Sequence, residues 1–563
     1  MPKLYTFLFF ISLLIQTNAQ TDSLHYPLNI PLYLSGTFGE LRTNHFHSGL
    51  DIKTNGEEGL PVFAVDEGYI YRIKITRNGY GKALYIKHPS GLVSVYGHLK
   101  YFNDRIESYI KQKQYKKKSF EIEVFPYKIE LPVKKGEIIA YSGNTGGSSG
   151  AHLHFELRNM KEHPLNPMTY GIKIIDHKKP IVKNVFAYPL DSLSHINQLG
   201  KRVKLNLKRL NDSLYITDTI LAYGKIGIGL EAYDLQDFSR NHNGLYKVEV
   251  LVNGLKIYEH VMEEFSFFRS HYINTLIDYP YYKKYRRRIQ QLWVKPYNLL
   301  EIYTQLVQNG IIKIENKKNY QIELVLSDFD QNKTHVKIPV NGYQTKNIQE
   351  PERLKKTPFP IKVDKNNVIS FYDWIINFPP KTTYTDQYLL LKKQNKAIYI
   401  NNNGQALHKS YIIKHPLHKV AKKQRPYAYL ALLGKKRKAY YIYQTKKNDT
   451  ITAYTKKFGY FSMRYDSIAP SIKPLNFKEK ADLSNYRYLK FKIRDKQTGI
   501  KSYEGYIDNQ WILLEYDYKT GILTYDFSDL KLSGSKHLIK LIITDNLNNK
   551  RYYQSVFYRK DKT

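Results

Sequence analysis

The chain has 563 residues, 42% hydrophobic and 14% aromatic, which excludes wholesale disorder and leaves room for about three to five packed domains. It has no cysteine, which excludes a disulfide framework, an iron–sulfur site, a thiolate zinc site and a lipoprotein anchor; a metal would have to be held by His, Asp or Glu. Against 50 Asp and Glu stand 88 Lys and Arg, a formal charge of +38, but the runs Lys116-Lys117-Lys118, Arg286-Arg287-Arg288 and Lys435-Lys436-Arg437-Lys438 are scattered, so the charge describes a basic, solvated surface and names no partner.

At the N-terminus Lys3 precedes the apolar run Leu4 to Ile15, and Thr17-Asn18-Ala19 offers a small-residue cleavage site. This pattern predicts a secretory signal peptide over residues 1–19. The run is shorter than the ~20 apolar residues of a spanning helix, and no later stretch is long enough. The mature protein is therefore expected in the periplasm or cell envelope, or secreted. It should carry no integral membrane segment after signal cleavage and bind no nucleic acid.

Residues 20–175 read as short strands with glycine turns, the mark of an antiparallel sheet: Pro61 to Val65, Tyr69 to Ile75, Ala83 to Ile86, Leu92 to Tyr96 and Phe120 to Val124. Phe102, Ile106 and Ile110 recur every four residues behind a possible cap at Asn103, which predicts a helical insertion at about 102–118. Residues 176–348 read as a β-sandwich module. Its segment Gly244 to Gly254 parallels Gly499 to Asn509 near the C-terminus. Each copy has an upstream aspartate (Asp234, Asp495) and a closing turn (Asp328 with Asn332, Asp545 with Asn549). The first copy is longer by an insertion at about 265–308, where Leu299-Leu300 and Tyr303 read as helical. Residues 349–467 form a further β-rich module, and 468–563 resemble an immunoglobulin-like sandwich. The fold class is mainly β throughout. The acidic residues are too sparse for a calcium array, and Asp328 and Asp545 read as turn formers.

Three histidine motifs lie in the first region. In His47-Ser48-Gly49-Leu50-Asp51 an extended strand would put His47 and Asp51 on one face; His45 lies one alternation away. Tyr96-Gly97-His98-Leu99 ends an apolar strand. In His152-Leu153-His154-Phe155-Glu156 alternation puts both histidines on one face, as a divalent metal would need, and Leu153 and Phe155 into a core. The preceding loop Ser142 to Gly150 is glycine-rich but lacks the G-x-x-x-x-G-K-[ST] of a phosphate cradle and leads into a strand.

In this order the motifs resemble the lysostaphin/LytM-type zinc endopeptidases, family twenty-three of the metallopeptidases, which cut the peptides of bacterial cell-wall peptidoglycan. Gly36-Thr37-Phe38-Gly39, the Pro61 to Gly68 strand-turn, Val133 to Ile139, the Gly143 to Gly150 loop and Leu165-Asn166-Pro167 extend the resemblance over about Leu34 to Tyr170, roughly a quarter of the chain. It implies the family's duplicated hybrid motif fold, with His47, Asp51 and His154 as zinc ligands around an open fourth position. His98 and His152 would be the catalytic histidines. Zn2+ would be the cofactor and peptidoglycan the substrate. Where some members carry a tyrosine before the first ligand, this chain has Leu41-Arg42-Thr43-Asn44, and the helix after His98 would add a wall near the site.

The sequence is thus read as an exported zinc endopeptidase acting on peptidoglycan cross-links or stem peptides. The alternative is a non-catalytic wall-binding protein or an activator of another hydrolase. The tail modules are read as localising the enzyme, through another envelope component or the wall itself.

Overall fold

A computed structural model describes residues 23–350, 356–402 and 404–560; the expected signal peptide lies outside the described residues. The protein is mainly β. Its N-terminal domain is built on β1 (Leu34–Gly36), β2 (Leu50–Lys53), β3 (Gly68–Ile75), β4 (Lys82–Lys87), β5 (Val93–Leu99), β6 (Ile122–Val124) and β7 (His152–Arg158). They form an antiparallel sheet in the order β1-β2-β7-β5-β4-β3-β6, with two short strands paired to β7 and β3. The centre of this order matters most, because β7 lies between β2 and β5. Its register sets His154 beside Asp51 on one side and Gly97 on the other.

One face of the sheet makes the core. Leu50, Ile52, Leu153, Phe155 and Leu157 point there and meet Val62, Ile139 and Ala140 of a small three-stranded sheet, together with Ile106 and Ile110 of helix α1 (Asp104–Lys117). Alternation then sends Asp51, His154 and Glu156 to the opposite face. Helix α1 starts where the Asn103 carboxamide oxygen accepts from the Ile106 amide (3.0 Å). It ends at Lys118, which is left-handed.

The side chains of α1 also reach outside the first domain. Lys111 Nζ pairs with Asp529 (2.5 Å), and Tyr115 meets Trp511 edge-on (5.4 Å between ring centres), so the helix is where the C-terminal module docks. The segment framing the first histidine motif comes instead from the second module. Phe265 packs on Phe38 and Phe46, the Ser270 hydroxyl accepts from the Phe46 amide (2.9 Å), and the Tyr282 and Thr43 hydroxyls are 3.0 Å apart.

That framing segment is helical at Phe267–Ser270, Ile273–Leu276 and Tyr279–Tyr285. The expected helix at Leu299-Leu300 and Tyr303 does not form. Asn298 turns the chain by accepting from the Leu300 amide (3.0 Å), and Tyr303–Leu306 joins the sheet as a strand against Leu255–Val261.

Three β modules follow the first domain. The second module's strands form a 13-stranded assembly between Ile181 and Gly342. The third pairs a six- and a five-stranded sheet about one core, and the fourth pairs two four-stranded sheets. The cores are not fully separate. Met262, Phe265, Ile273 and Leu276 of the second module and Leu513 of the fourth belong to the core of the first domain.

Candidate metal centre

His47 lies in the approach to β2 and not in a strand, as the simple alternation argument supposed. Its carbonyl and amide bond to Gly39 and Glu40 (2.9 Å each), which fixes the backbone. Gly49 explains the path: a Cβ there would stand 2.1 Å from the Phe155 carbonyl oxygen, so only glycine lets the chain pass so close to β7. The result still joins the pair. His47 Nε2 is 3.0 Å from Asp51 Oδ1 and 3.2 Å from His154 Nδ1, and His154 Nδ1 is 2.8 Å from Asp51 Oδ1.

These three buried side chains each offer one donor atom, all within 4.8 Å of one another. For bonds of about 2.0–2.1 Å, donors at the corners of a tetrahedron stand about 3.3 Å apart. The observed separations are close to that, so the residues fit a zinc ion without rearrangement. The outer partners fix which nitrogen faces the centre. His47 Nδ1 bonds the Thr37 carbonyl (2.8 Å) and His154 Nε2 bonds Glu156 (2.8 Å); both partners can only accept, so a proton sits on each outer nitrogen and the inward nitrogens are the ones that can offer lone pairs to a metal.

The remaining two histidines flank the same centre. His98 and His152 rings are 4.8 Å apart, and His152 Nε2 is 3.4 Å from Asp51 Oδ1. His98 Nδ1 bonds the Thr145 carbonyl (2.8 Å) and His152 Nδ1 the Gly150 carbonyl (2.9 Å), which leaves Nε2 of each as the proton-accepting atom. His98 has φ +60°, an uncommon backbone for histidine that the fold must hold in place. The loop supplying these carbonyls packs tightly: Gly146 has φ +70°, and a Cβ there would stand 2.2 Å from the Gly81 amide nitrogen. His45 is exposed and bonded to the Thr43 carbonyl (2.9 Å), outside the cluster.

Several members of the site were not singled out from sequence. Glu156 is fully buried and receives His154 Nε2, the Ser48 hydroxyl (2.6 Å), the Tyr80 hydroxyl and Arg158 Nε (2.7 Å). Tyr80 also stacks on the His154 ring at 4.9 Å. Arg42 donates to Asp51 Oδ2 and to Glu40 Oε2 (3.0 Å each), leaving Asp51 Oδ1 to the centre. The available signal for Glu156 was its place two residues beyond His154 on the same strand face. Nothing local marked Tyr80 or Arg42.

The electrostatics favour a positive charge between the carboxylates. Burial alone would raise the Asp51 carboxyl, but the surrounding imidazoles, when protonated, outweigh it through charge and hydrogen bonds and hold Asp51 well below the usual range. Burial would lower His154, yet its bonds to Asp51 and Glu156 raise it to about 9, so its inward nitrogen holds a proton that a metal would displace on binding. His98 lacks such a partner; burial first, then His154 and His152, push it down to about 3. It is a neutral base at physiological pH.

Fold and site together define a β domain with a two-histidine, one-carboxylate centre that could hold a metal. Residues 45–115 and 122–167 match the sequence model of Peptidase family M23. The chain is 31% identical over 132 residues to the DD-carboxypeptidase/endopeptidase Mpg of Neisseria meningitidis, covering 23% of this chain and 24% of that protein. It is 30% identical over 150 residues to an uncharacterized metalloprotease of Haemophilus influenzae, 26% of each. The chain thus spans about a quarter of the length of these curated relatives. Among solved structures, the catalytic domain of lysostaphin from Staphylococcus simulans is similar at 24% identity, over 24% of this chain and 87% of that one, with a TM-score of 0.18.

Proposed function

We propose that this chain is an exported zinc endopeptidase that hydrolyses peptide bonds of bacterial peptidoglycan at the centre formed by His47, Asp51 and His154. The observation that carries the reading is the convergence of the three histidine motifs with their inward nitrogens already set. Two histidines and one carboxylate can offer lone pairs to the centre, and two further imidazoles present Nε2 beside it. The M23 match over the same residues and the name of the neisserial relatives agree with it.

His47, Asp51 and His154 would hold zinc, which when bound supplies Lewis acidity. His98 Nε2 and His152 Nε2 take and return the proton that peptide hydrolysis moves from water to the leaving amine, each ring held by a carbonyl at Nδ1. His98, neutral because it is buried, suits the accepting role. Glu156 keeps His154 in the tautomer a ligand needs.

The tail modules, among them the immunoglobulin-like C-terminal unit, would position the enzyme against the envelope. The test is digestion of purified sacculi with and without chelator, with released muropeptides identified by mass. Chelator-sensitive loss of cross-linked dimers, or shortening of stem peptides, is expected. No release from several wall types would overturn the reading in favour of a binding protein.

A further inference from the structure

A second group of acidic residues lies at the seam between the first domain and the second module. Asp176, Asp234 and Asp328 are all buried, and their carboxylate oxygens lie within 4.8 Å of one another. Asp176 comes from the linker entering the module, Asp234 from the end of the strand Ile220–Tyr233, and Asp328 from the turn closing Asn319–Ser327. They line a cavity of about 20 Å³, room for one water molecule or one ion.

Two further observations separate this group from an ordinary acidic turn. Asp234 is 3% exposed and its Oδ1 has no hydrogen-bond partner; Gln236, also 3% exposed, faces the same cavity with an unpartnered Oε1. Buried oxygens without donors are costly unless a cation completes them. The neighbouring carboxylates acting on Asp234, those of Asp176, Asp328 and Asp330, are all repulsive, so no side-chain charge compensates it from within the cluster. Lys178 Nζ is spent on the Gln236 backbone carbonyl (3.0 Å), and His177 on Asp237 (2.7 Å).

We propose that Asp176, Asp234, Asp328 and the Gln236 carboxamide oxygen bind one hard divalent cation, calcium by their all-oxygen chemistry, separate from the histidine centre. Oxygen-only donors, a side-chain amide among them, suit calcium and not zinc. The C-terminal module repeats the frame, with Asp466, Asp495 and Asp545 also within 4.8 Å, but it is closed by its own donors. Asn332 caps both oxygens of Asp328 as Asn549 caps those of Asp545, but in the C-terminal copy Thr498 Oγ1 (3.0 Å) and Gln497 Nε2 (3.1 Å) also donate to Asp466, whereas Asp234 Oδ1 and Gln236 Oε1 keep no partner. It serves as an internal control and not as a second site.

The cation would have a structural consequence. Thr37 and Phe38 line the same cavity, the Thr37 hydroxyl accepts from the Gly244 amide (3.0 Å), and the Thr37 carbonyl holds His47 Nδ1. Binding would fasten the seam on which the first ligand rests.

The test uses zinc-loaded full-length protein freed of alkaline-earth ions and titrated with calcium chloride by calorimetry and by thermal unfolding. One equivalent is expected, with Kd of about 1 mM or tighter, and a rise of several degrees in Tm. Asp234→Asn should weaken binding at least about tenfold and abolish the Tm shift, while Asp495→Asn leaves both and zinc content stays unchanged. If Asp234→Asn does not fold, Gln236→Ala, which removes a neutral ligand, should weaken binding in the same direction. No heat and no Tm shift up to about 10 mM calcium, binding untouched by Asp234→Asn or Gln236→Ala, or binding lost equally in Asp495→Asn would overturn the proposal.

Discussion

His152 and His154 leave the same strand face two residues apart, yet their surroundings divide them. His154 is gripped at Nε2 by a fully buried carboxylate, whereas His152 is held at Nδ1 by a loop carbonyl and lies 3.4 Å from Asp51. His154→Ala should therefore lose zinc, while His152→Ala keeps nearly all of it and loses turnover by about 10²–10⁴-fold. Metal analysis of the folded variants decides this, and equal zinc loss in both would reject the division. Glu156→Gln tests the outer partner: the ring can still be held, but by a neutral group whose amide could favour the wrong tautomer. Zinc affinity should fall about 10–100-fold, read by competition with a chromogenic chelator.

At the scale of elements, strand Leu255–Val261 of the second module carries an internal titration. His260 is fully buried, its Nδ1 meets the Tyr258 hydroxyl (2.9 Å), and its Nε2 has no partner. Burial lowers its pKa to about 4, with Glu259 opposing. The unfolded chain has a histidine pKa of about 6.5, so protonation favours unfolding. The stability conferred by the neutral ring is complete above pH ~6.5 and is lost progressively as pH falls towards ~4, by about 3 kcal/mol in all. Urea unfolding at pH 7 and pH 4 should show a smaller acid loss in His260→Gln than in the parent. An identical loss in both would mean that His260 does not couple to folding.

For the whole molecule, the shared core changes what the tail is expected to do. If the tail only localised the enzyme, a chain ending near Asp176 would be self-sufficient, but Met262, Phe265, Ile273 and Leu276 are each no more than 2% exposed and complete the first core from the second module. At about 1.5–3 kcal/mol for each such side chain, their removal approaches the about 5–15 kcal/mol of a whole domain. Residues 20–176 alone should therefore aggregate or melt far below the full chain and hold little zinc, whereas a chain ending at 348 keeps both fold and metal. Circular dichroism melts with zinc analysis check this, and a stable, zinc-loaded short fragment would show the tail to be dispensable for folding. The contact of Lys82 with Glu515 (2.9 Å) and of Lys519 with Asn144 Oδ1 (3.1 Å) also brings the last module against the first domain, the second contact falling on the glycine loop that holds His98 and His152.

The sequence by itself determined the features governed by short-range rules. Strand alternation sent His152 and His154 to one face and Leu153 and Phe155 to the other, Asn103 capped the helix after His98, and the motif order marked the family. It misread Leu299 to Tyr303, because apolar spacing does not register that Asn298 turns the chain and that a distant strand recruits Tyr303. It treated Asp328 as a turn former, which it is, since it caps Asn332; that the same carboxylate meets Asp176 and Asp234 depends on how strands far apart in the chain are registered. Only the tertiary structure could bring Glu156, Tyr80 and Arg42 to the histidines and carry the second module's insertion over the first motif. Such partners are chosen by sheet order and by which buried polar atoms must be satisfied, and neither leaves a local signature in the chain.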